Sequence, residues 1–536
     1  MRQFQNQLAQ AGVFRYAYLL GIIFVIFGIY FSRAMLSIGE VVLATTWVFE
    51  GDIDKKVGRL WTQKWPLVMV SIYLMHMLGM LYSDDLVFGL NDLRIKLPLL
   101  MFPIVLGSID LPKGLNIKRV NILFIIASIG FTIVLCGYYV VNIDSIEDMR
   151  DVSFLFSHIR LALMLCLAMF LSLYYGLEYK KLNRLLFFSA AGIFFIFMLF
   201  FQLITGIILV VTLFPLFVMW LRRIKTNSGI RLQGFILISL IIYCTTIVYI
   251  SMASYDYFDL KKSSEKIENL EFTENGNRYA QMHKRVENGM MENGNYVFQN
   301  VIFTELQKEW NKRSSVEIDY TDRAPLDIEH ILMRFLTSKG ENKDSAAVSR
   351  LTEAEIKAIE MGITNVAFMN KAGVYIRIHQ LFWEIDNYLR GGDFNGHSLA
   401  MRLEYWKTGL HVFRNNFWFG VGTGDVLNQL DLQYKEDRSR LNPKWRLRTH
   451  NQWLTIALTF GFFGFLLFTI SIVIPAWLGR KTFHYFFFTA IFMLSMLTED
   501  TLETQVGATF YAFFNALYFF NIKERKVFEA NAQLAQ

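Results

Sequence analysis

Apolar stretches recur along the whole chain and are separated by short polar segments. Twelve of them approach the length at which an α-helix crosses the hydrocarbon core of a bilayer. They are too many for one signal peptide, and the polar residues 1–15 lack a small-residue cleavage site, so we expect the first stretch to be retained. The predicted spans are residues 14–31, 35–49, 66–82, 94–109, 118–141, 158–175, 185–201, 203–221, 232–253, 451–478, 483–498 and 505–521.

The charges between these spans predict their sidedness. Short cytoplasmic loops of membrane proteins collect Lys and Arg. With a cytoplasmic N-terminus, the inside segments hold most of the basic residues of the short loops, and the short outside segments hold few. Both termini are therefore predicted to be cytoplasmic, and one long loop between the ninth and tenth spans lies on the outer face.

This topology divides the chain into four predicted parts. The fold class is all-α and polytopic, with about twelve transmembrane helices and a large, mainly helical outer loop. The parts are a bundle of about nine helices in residues 1–253, the loop in 254–450, C-terminal transmembrane helices in 451–521 and a cytoplasmic tail in 522–536.

Composition agrees with a membrane protein. The chain is 54% hydrophobic and 18% charged, which is too apolar for a soluble globular domain. Its formal net charge of +7 is explained by the basic inside loops, so nucleic acid is not expected as a partner. Cys136, Cys166 and Cys244 all lie in apolar stretches, so neither a disulfide nor a metal site is predicted.

The outer loop divides at a glycine-rich turn, residues 391–396. Before it, residues 254–395 read as a polar helical insert, in which Thr352 to Glu355 form a capping box that predicts a short helix to Glu360. After it, residues 396–450 carry the candidate chemistry.

Three features of residues 396–450 are candidates for binding or catalysis. Gly420, Gly422 and Gly424 alternate, which favours either exposed N–H groups for an anion or a simple turn. Six basic residues lie between 435 and 448, among them Arg446 and Arg448, and suit a diphosphate or lipid phosphates.

The third feature is His450, at the predicted boundary between the loop and the tenth span. A histidine there can act as a general base or a hydrogen-bond donor, or it can anchor the interface beside Trp453.

The order of these elements resembles the O-antigen ligase and O-antigen polymerase superfamily. The resemblance rests on Arg402 with Trp406, then residues 419–424, then His450 followed by Asn451, and it extends to Gly461, Gly464 and the late segment 498–507. It implies a metal-independent transferase without a cofactor. Such an enzyme moves a glycan from undecaprenyl diphosphate to an acceptor hydroxyl on the periplasmic face of the bacterial inner membrane.

The resemblance assigns roles to individual residues. It implies that His450 and Arg402 are catalytic. The diphosphate is expected to contact Gly422 and Gly424, with Arg446 and Arg448 as further candidates.

One family feature is absent. The family usually carries Ser-Arg-Thr-Gly at the outer end of a middle span, where this chain has Leu203-Ile204-Thr205-Gly206. We therefore hypothesise that Arg160, at the start of another span, supplies the missing charge. The alternative is that Arg160 pairs with Asp148 or Asp151.

Several functions remain open on sequence grounds. O-antigen ligation to a lipid A-core acceptor is the leading prediction, ahead of glycan polymerisation and of transfer to protein. A twelve-helix secondary transporter has the same topology, but the nine spans before the loop and three after it show no repeated halves. A structural scaffold built around the loop is the third alternative, and it predicts that His450 has no effect on any glycan.

Overall fold

The computed structural model describes residues 12–111, 115–143, 152–153, 157–221, 232–282, 289–318, 328–371 and 373–521. Nearly all of the regular secondary structure in these residues is α-helical, as predicted. The only paired strands among them form a short antiparallel hairpin, β1 (Met291–Glu292) and β2 (Asn295–Tyr296).

The helices of the N-terminal half precede the hairpin. They are α1 (Val13–Phe31), α2 (Arg33–Phe49), α3 (Ile53–Gln63), α4 (Trp65–Gly79), α5 (Leu86–Lys96), α6 (Pro98–Ser108), α7 (Ile117–Val141), α8 (His158–Glu178), α9 (Lys181–Phe200), α10 (Ile204–Leu221) and α11 (Leu232–Ser263). The later helices are α12 (Phe303–Arg313), α13 (Ile328–Ser338), α14 (Ser345–Ser349), α15 (Glu353–Glu360), α16 (Gly373–Leu389), α17 (Ser398–Asn415), α18 (Val426–Glu436), α19 (Gln452–Gly479), α20 (Phe483–Ser495) and α21 (Gln505–Phe520).

Eight helices in the described part of the chain are long and apolar enough to cross a membrane, or nine if α2 and α3 form one span bent by 108°. The protein is therefore a multi-pass membrane protein, but the predicted number of twelve is not confirmed. Two of the predicted spans, 483–498 and 505–521, correspond to helices of 13 and 16 residues.

Two local features of the chain interrupt helices in this part of the bundle. The chain bends after α2 because Gly51 and Asp52 adopt positive φ angles of 83° and 53°. The region 94–109 is divided at Leu97, because Pro98 has no N–H to continue the hydrogen bonds of α5 and instead begins α6. The predicted span 35–49 ends at the same residue as α2, whereas the prediction of one span over residues 94–109 followed hydrophobicity and missed the break at Leu97.

The core of the bundle is built from α8 and α21. Both helices are buried along most of their length, so α21 packs against protein on nearly all sides. Phenylalanines fill the centre, for example Phe124 with its ring 4.9 Å from that of Phe514. This rigid packing supports the two loops that carry polar residues beside α8 and before α21.

The insert has a hydrophobic core of its own, around Trp310 and Leu332. The predicted capping box is confirmed, because the Thr352 side chain accepts from the Glu355 N–H and the Glu355 side chain accepts from the Thr352 N–H. The last helix of the insert, α16, packs against α11 and against α17.

Candidate functional site

Four segments meet at the end of the bundle that faces the insert. They are α17, residues 448–451 before α19, the first turn of α8, and residues 496–504 between α20 and α21. The last segment is joined to the start of α19, since Gln452 N–H donates to the Met496 carbonyl at 2.9 Å and Leu502 N–H donates to Gln452 Oε1 at 2.8 Å. It is joined to α8 by the hydrogen bond from Arg160 to Glu499. The polar residues of all four segments therefore face one region.

His450 is held in an unusual backbone conformation at this junction. Its φ is +48°, in the left-handed region that few non-glycine residues adopt. The conformation is fixed because its N–H donates to Asp500 Oδ2 at 2.9 Å. Its ring stacks on that of Tyr405 at a centroid distance of 5.6 Å. Backbone and ring together orient the imidazole.

Glu499 lies between two residues that the sequence analysis singled out. Its Oε1 accepts a hydrogen bond from Arg160 Nη2 at 3.1 Å, and its Oε2 lies 3.5 Å from His450 Nδ1. Burial alone would raise the pKa of Glu499, but His450, Arg160 and Arg402 together lower it below its ordinary value. Glu499 is therefore ionised, and it brings Arg160 into contact with the histidine site.

This finding bears on the two hypotheses for Arg160. Its described partner is Glu499, and the alternative partners Asp148 and Asp151 lie outside the described residues. Glu499 was not predicted from the sequence as the partner of Arg160. The sequence feature that could have indicated it is the acidic pair Glu499 and Asp500, which lies at the end of a span in a chain with few intramembrane charges.

Asp500 is buried beside Glu499 and supports the loop. It accepts from the His450 N–H and, at 2.8 Å, from the Thr455 hydroxyl. Burial, and then the nearby Glu503, raise the pKa of Asp500 to about 6. Its charge therefore changes near neutral pH, one residue from the carboxylate that faces the imidazole.

Several buried donors in this region have no hydrogen-bond partner among the described residues. They include Nε of Arg160, Nε of Arg402 and the indole Nε1 of Trp406. Nδ1 of His450 is also buried without a hydrogen bond, since the nearest oxygen of Glu499 lies 3.5 Å away. Arg402 and Trp406 are four residues apart on α17 and so share one face of the helix. A buried donor without an acceptor typically costs about 1–3 kcal/mol. The three donors fit a ligand that presents several acceptor oxygens, such as a diphosphate.

Arg448 has a different environment. It pairs with Glu503, which also accepts from Lys96 Nζ at 2.7 Å, and Lys96 Nζ donates in turn to Asp92 at 2.6 Å. The four charges balance and are buried. Arg448 thus joins α5 to the segment before α21 and is already neutralised by protein carboxylates.

Arg446 is also engaged by protein groups. Its Nη1 lies 3.1 Å from Asp431 Oδ1 on α18, and its Nε donates to the Leu441 carbonyl. The structure thus brings Arg160 and Arg402 to the surroundings of His450, while the described contacts of Arg446 and Arg448 are structural ion pairs.

The alternating glycines pack tightly against other elements. The Gly422 N–H donates to the Thr459 carbonyl at 2.9 Å, and the Gly424 N–H donates to Ser83 Oγ at 2.9 Å. A Cβ on Gly422 would lie 2.5 Å from Ser83 Oγ, and one on Gly420 would lie 2.3 Å from the carbonyl carbon of Thr459. In this conformation neither Gly422 nor Gly424 offers a free N–H to a diphosphate, and the close approach of two backbones accounts for the glycines.

No group of three or more His, Cys, Asp or Glu side chains in the described ranges is arranged to hold a metal ion. The candidate site consists of cations, a histidine and carboxylates. It defines a multi-pass membrane protein with a buried, donor-rich site at one end of its helical bundle.

One segment of the chain is similar to a known protein family. A family model described as O-antigen ligase matches residues 354–469. Residues 354–469 are therefore similar to the O-antigen ligase family, which confirms the resemblance seen in the motifs. The match includes Arg402, His450 and the other predicted site residues except Arg160. A comparison with curated proteins finds no match.

Proposed function

We propose that this protein transfers a glycan from undecaprenyl diphosphate to an acceptor hydroxyl at the periplasmic face of the bacterial inner membrane. The O-antigen ligase domain supports transfer of a lipid-linked glycan. The observation that carries the proposal is the contact of one buried carboxylate, Glu499, with both Arg160 and His450.

The first chemical requirement is stabilisation of the leaving group. Transfer breaks the bond between the anomeric carbon and a diphosphate oxygen, so negative charge develops on the diphosphate. Arg402 and Arg160 each have a buried Nε without an acceptor among the described residues. A well-placed donor to such a developing charge is typically worth about 3–4 kcal/mol.

The second requirement is a nucleophilic acceptor. As the acceptor hydroxyl forms its bond to the anomeric carbon, its proton must leave, and His450 is the proposed base. Because Nδ1 faces the Glu499 carboxylate at 3.5 Å, that nitrogen is the one expected to carry the proton of the neutral ring. Nε2 then has the lone pair that accepts the proton of the hydroxyl. Glu499 also stabilises the imidazolium that forms.

Substitution of His450 tests this proposal. In bilayer nanodiscs that contain the undecaprenyl diphosphate-linked glycan and a lipid A-core acceptor, we expect His450→Ala to lower transfer by about 100-fold or more, the usual contribution of a general base. The readout is the shift of the acceptor to larger mass on a gel. His411→Ala is the matched control, because His411 is on α17 and pairs with Asp437.

Equal rates for His450→Ala and the wild-type protein, at equal folded amount, would overturn the catalytic assignment. If the wild-type protein fails to transfer glycan to lipid A-core but extends glycan chains on undecaprenyl diphosphate, the acceptor assignment is wrong and polymerisation is the activity. Transfer to a protein acceptor is assayed in the same way.

The leading acceptor is the lipid A-core, and a deletion strain distinguishes it from the alternatives. Loss of all long glycan chains from lipopolysaccharide indicates ligation. A single repeat unit on the core indicates polymerisation. An unchanged lipopolysaccharide with loss of glycan from proteins indicates an oligosaccharyltransferase.

The proposed topology has both termini in the cytoplasm and residues 254–450 in the periplasm. It is supported by the basic residues of the short inside loops. No cofactor is proposed, and membrane lipids surround the bundle.

A further inference from the structure

Five exposed aromatic side chains form one patch beside the break in α19. They are Phe417, Trp418, Phe419, Phe462 and Phe463, and between 39% and 68% of each is exposed. Phe417 stacks on Phe462, and Trp418 stacks on Phe463, each at a centroid distance of 5.7 Å. We call these five residues the aromatic patch. A contiguous apolar surface of this kind marks an interaction site.

The backbone beneath the aromatic patch is locked into the break of α19. Gly461 has φ +64° and ψ −164°, which interrupts the helix. The freed N–H of Phe462 donates to the Phe417 carbonyl at 2.7 Å, and the N–H of Phe463 donates to the Trp418 carbonyl at 3.4 Å. A Cβ on Gly461 would lie 2.3 Å from the Trp418 carbonyl carbon, so only glycine permits this approach.

These hydrogen bonds allow non-helical backbone to lie within the membrane. In hydrocarbon no water is present, so each carbonyl needs a donor from the protein. The carbonyls of Phe417 and Trp418 accept from α19, and the carbonyl of Phe419 accepts from the Tyr82 hydroxyl at 2.9 Å. All three carbonyls under the aromatic patch are thus satisfied without water.

The aromatic patch also continues the lipid-facing surface of α19. Before the break, residues 456–460 are buried, and after it exposed apolar residues follow at helical spacing down to Trp477. The arm Phe462–Gly479 spans roughly 27 Å at 1.5 Å per residue. This is close to the thickness of the hydrocarbon core, about 30 Å.

The two ends of this arm carry the residues that mark membrane interfaces. Trp477 lies at one end with the Arg480 guanidinium 3.6 Å from its ring centroid, and Trp418 lies at the other. Tryptophan is enriched at both boundaries between lipid and water.

We propose that the aromatic patch is inserted into the outer leaflet of the bilayer, and that its occupant is lipid acyl chains. The segment 417–419, which the sequence analysis assigned to the outer loop, is then an interfacial wedge. It fixes the depth of the site, because His450 is separated from Gly461 by one helical arm of about 14 Å. The inference rests on packing and exposure and does not depend on glycan transfer.

Spin labels measure the depth of the aromatic patch directly. In a protein with Cys136, Cys166 and Cys244 replaced by Ala, the label is placed by Trp418→Cys and the protein is reconstituted in bilayers. Two further labels serve as references. The label at Met361→Cys reports water, because Met361 is 75% exposed on the insert, and the label at Ile470→Cys, on the arm of α19 after the break, reports lipid.

We expect the label at 418 to collide more with oxygen than with a water-soluble nickel complex, as at 470. Collision with nickel as frequent as at 361 would overturn the proposal. Spin–spin broadening at 418 would also overturn it, because a second copy of the chain would then cover the patch.

A second measurement avoids any misfolding of the cysteine variant. The fluorescence of the wild-type protein is compared with that of Trp418→Phe in vesicles of brominated phosphatidylcholine. The proposal expects brominated lipid to quench a larger share of the wild-type emission, since Trp418 contacts the chains. Identical fractional quenching in the two proteins would contradict it.

Discussion

At the scale of single residues, the site depends on one carboxylate that serves several partners. Glu499 contacts Arg160 from α8 and faces His450 from the loop, and the charge of Arg402 acts on it as well. Replacing Glu499 by glutamine removes the charge and keeps the shape of the side chain. The substitution therefore tests whether the charge, and not only the packing, of Glu499 is needed to orient the His450 imidazole.

Glu499→Gln is expected to lower the rate of glycan transfer by about 10- to 100-fold, the usual effect of losing a group that orients a functional side chain. An amide carries no charge to stabilise the imidazolium that forms during proton transfer, so the rate should fall across the whole pH range of activity. The measurement is a pH profile of transfer. Glu436→Gln, at an exposed position on α18, is the control. An unchanged rate and profile would remove Glu499 from the account.

Protonation of Asp500 leads to a second prediction, which concerns the pH dependence of the stability of the folded protein. Burial raises its pKa to about 6 from an ordinary value of 3.8, so the folded state binds this proton more tightly than the unfolded state. The stability from this group is therefore present at low pH and lost as pH rises through about 6.

The prediction is tested by thermal unfolding of the wild-type protein and of Asp500→Asn between pH 4 and pH 7. The Tm of the wild-type protein should fall relative to that of the variant as pH rises across this range. A constant difference in Tm would contradict the raised pKa.

At the scale of elements, the break in α19 determines where the glycine-rich segment lies. Hydrophobicity predicted α19 within a few residues, because its apolar side chains are consecutive. The break could not be read from the chain, because it depends on Trp418 and on Thr459 meeting residues far away in sequence. For the same reason the sequence could not decide whether Gly420, Gly422 and Gly424 bind an anion or form a turn. The hydrogen-bond partners of this segment, Thr459 and Ser83, belong to elements that are distant in the sequence.

Gly461→Ala is expected to destabilise the protein by several kcal/mol, because the new methyl group meets the Trp418 backbone and because φ is positive. The measurement is the Tm of the purified protein together with its folded yield.

Gly192→Ala on α9 is the matched control, since no atom lies within 4 Å of its added Cβ. A Tm for Gly461→Ala equal to that of the control would show that the break is not required for folding.

At the scale of the whole molecule, the sequence predicted a helical membrane protein and the candidate histidine, because both depend on local patterns. The predicted number of about twelve spans is not confirmed, and the span 94–109 was predicted without the break at Leu97. The sequence could not place Arg160 beside Glu499, because 339 residues separate them and only the packing of α8 against α20 brings them together. The same limit applies to Arg448, whose partners lie on α5 and before α21.

The proposed function requires that one site of the protein receives the diphosphate of the donor. The most direct measurement is an electron cryo-microscopy structure with undecaprenyl diphosphate bound in a nanodisc. We predict diphosphate oxygens within hydrogen-bond distance of Arg402 Nε and Arg160 Nε, with His450 facing the side from which an acceptor approaches. A diphosphate bound at Arg446 or at the glycine segment, away from Arg402 and Arg160, would contradict the account.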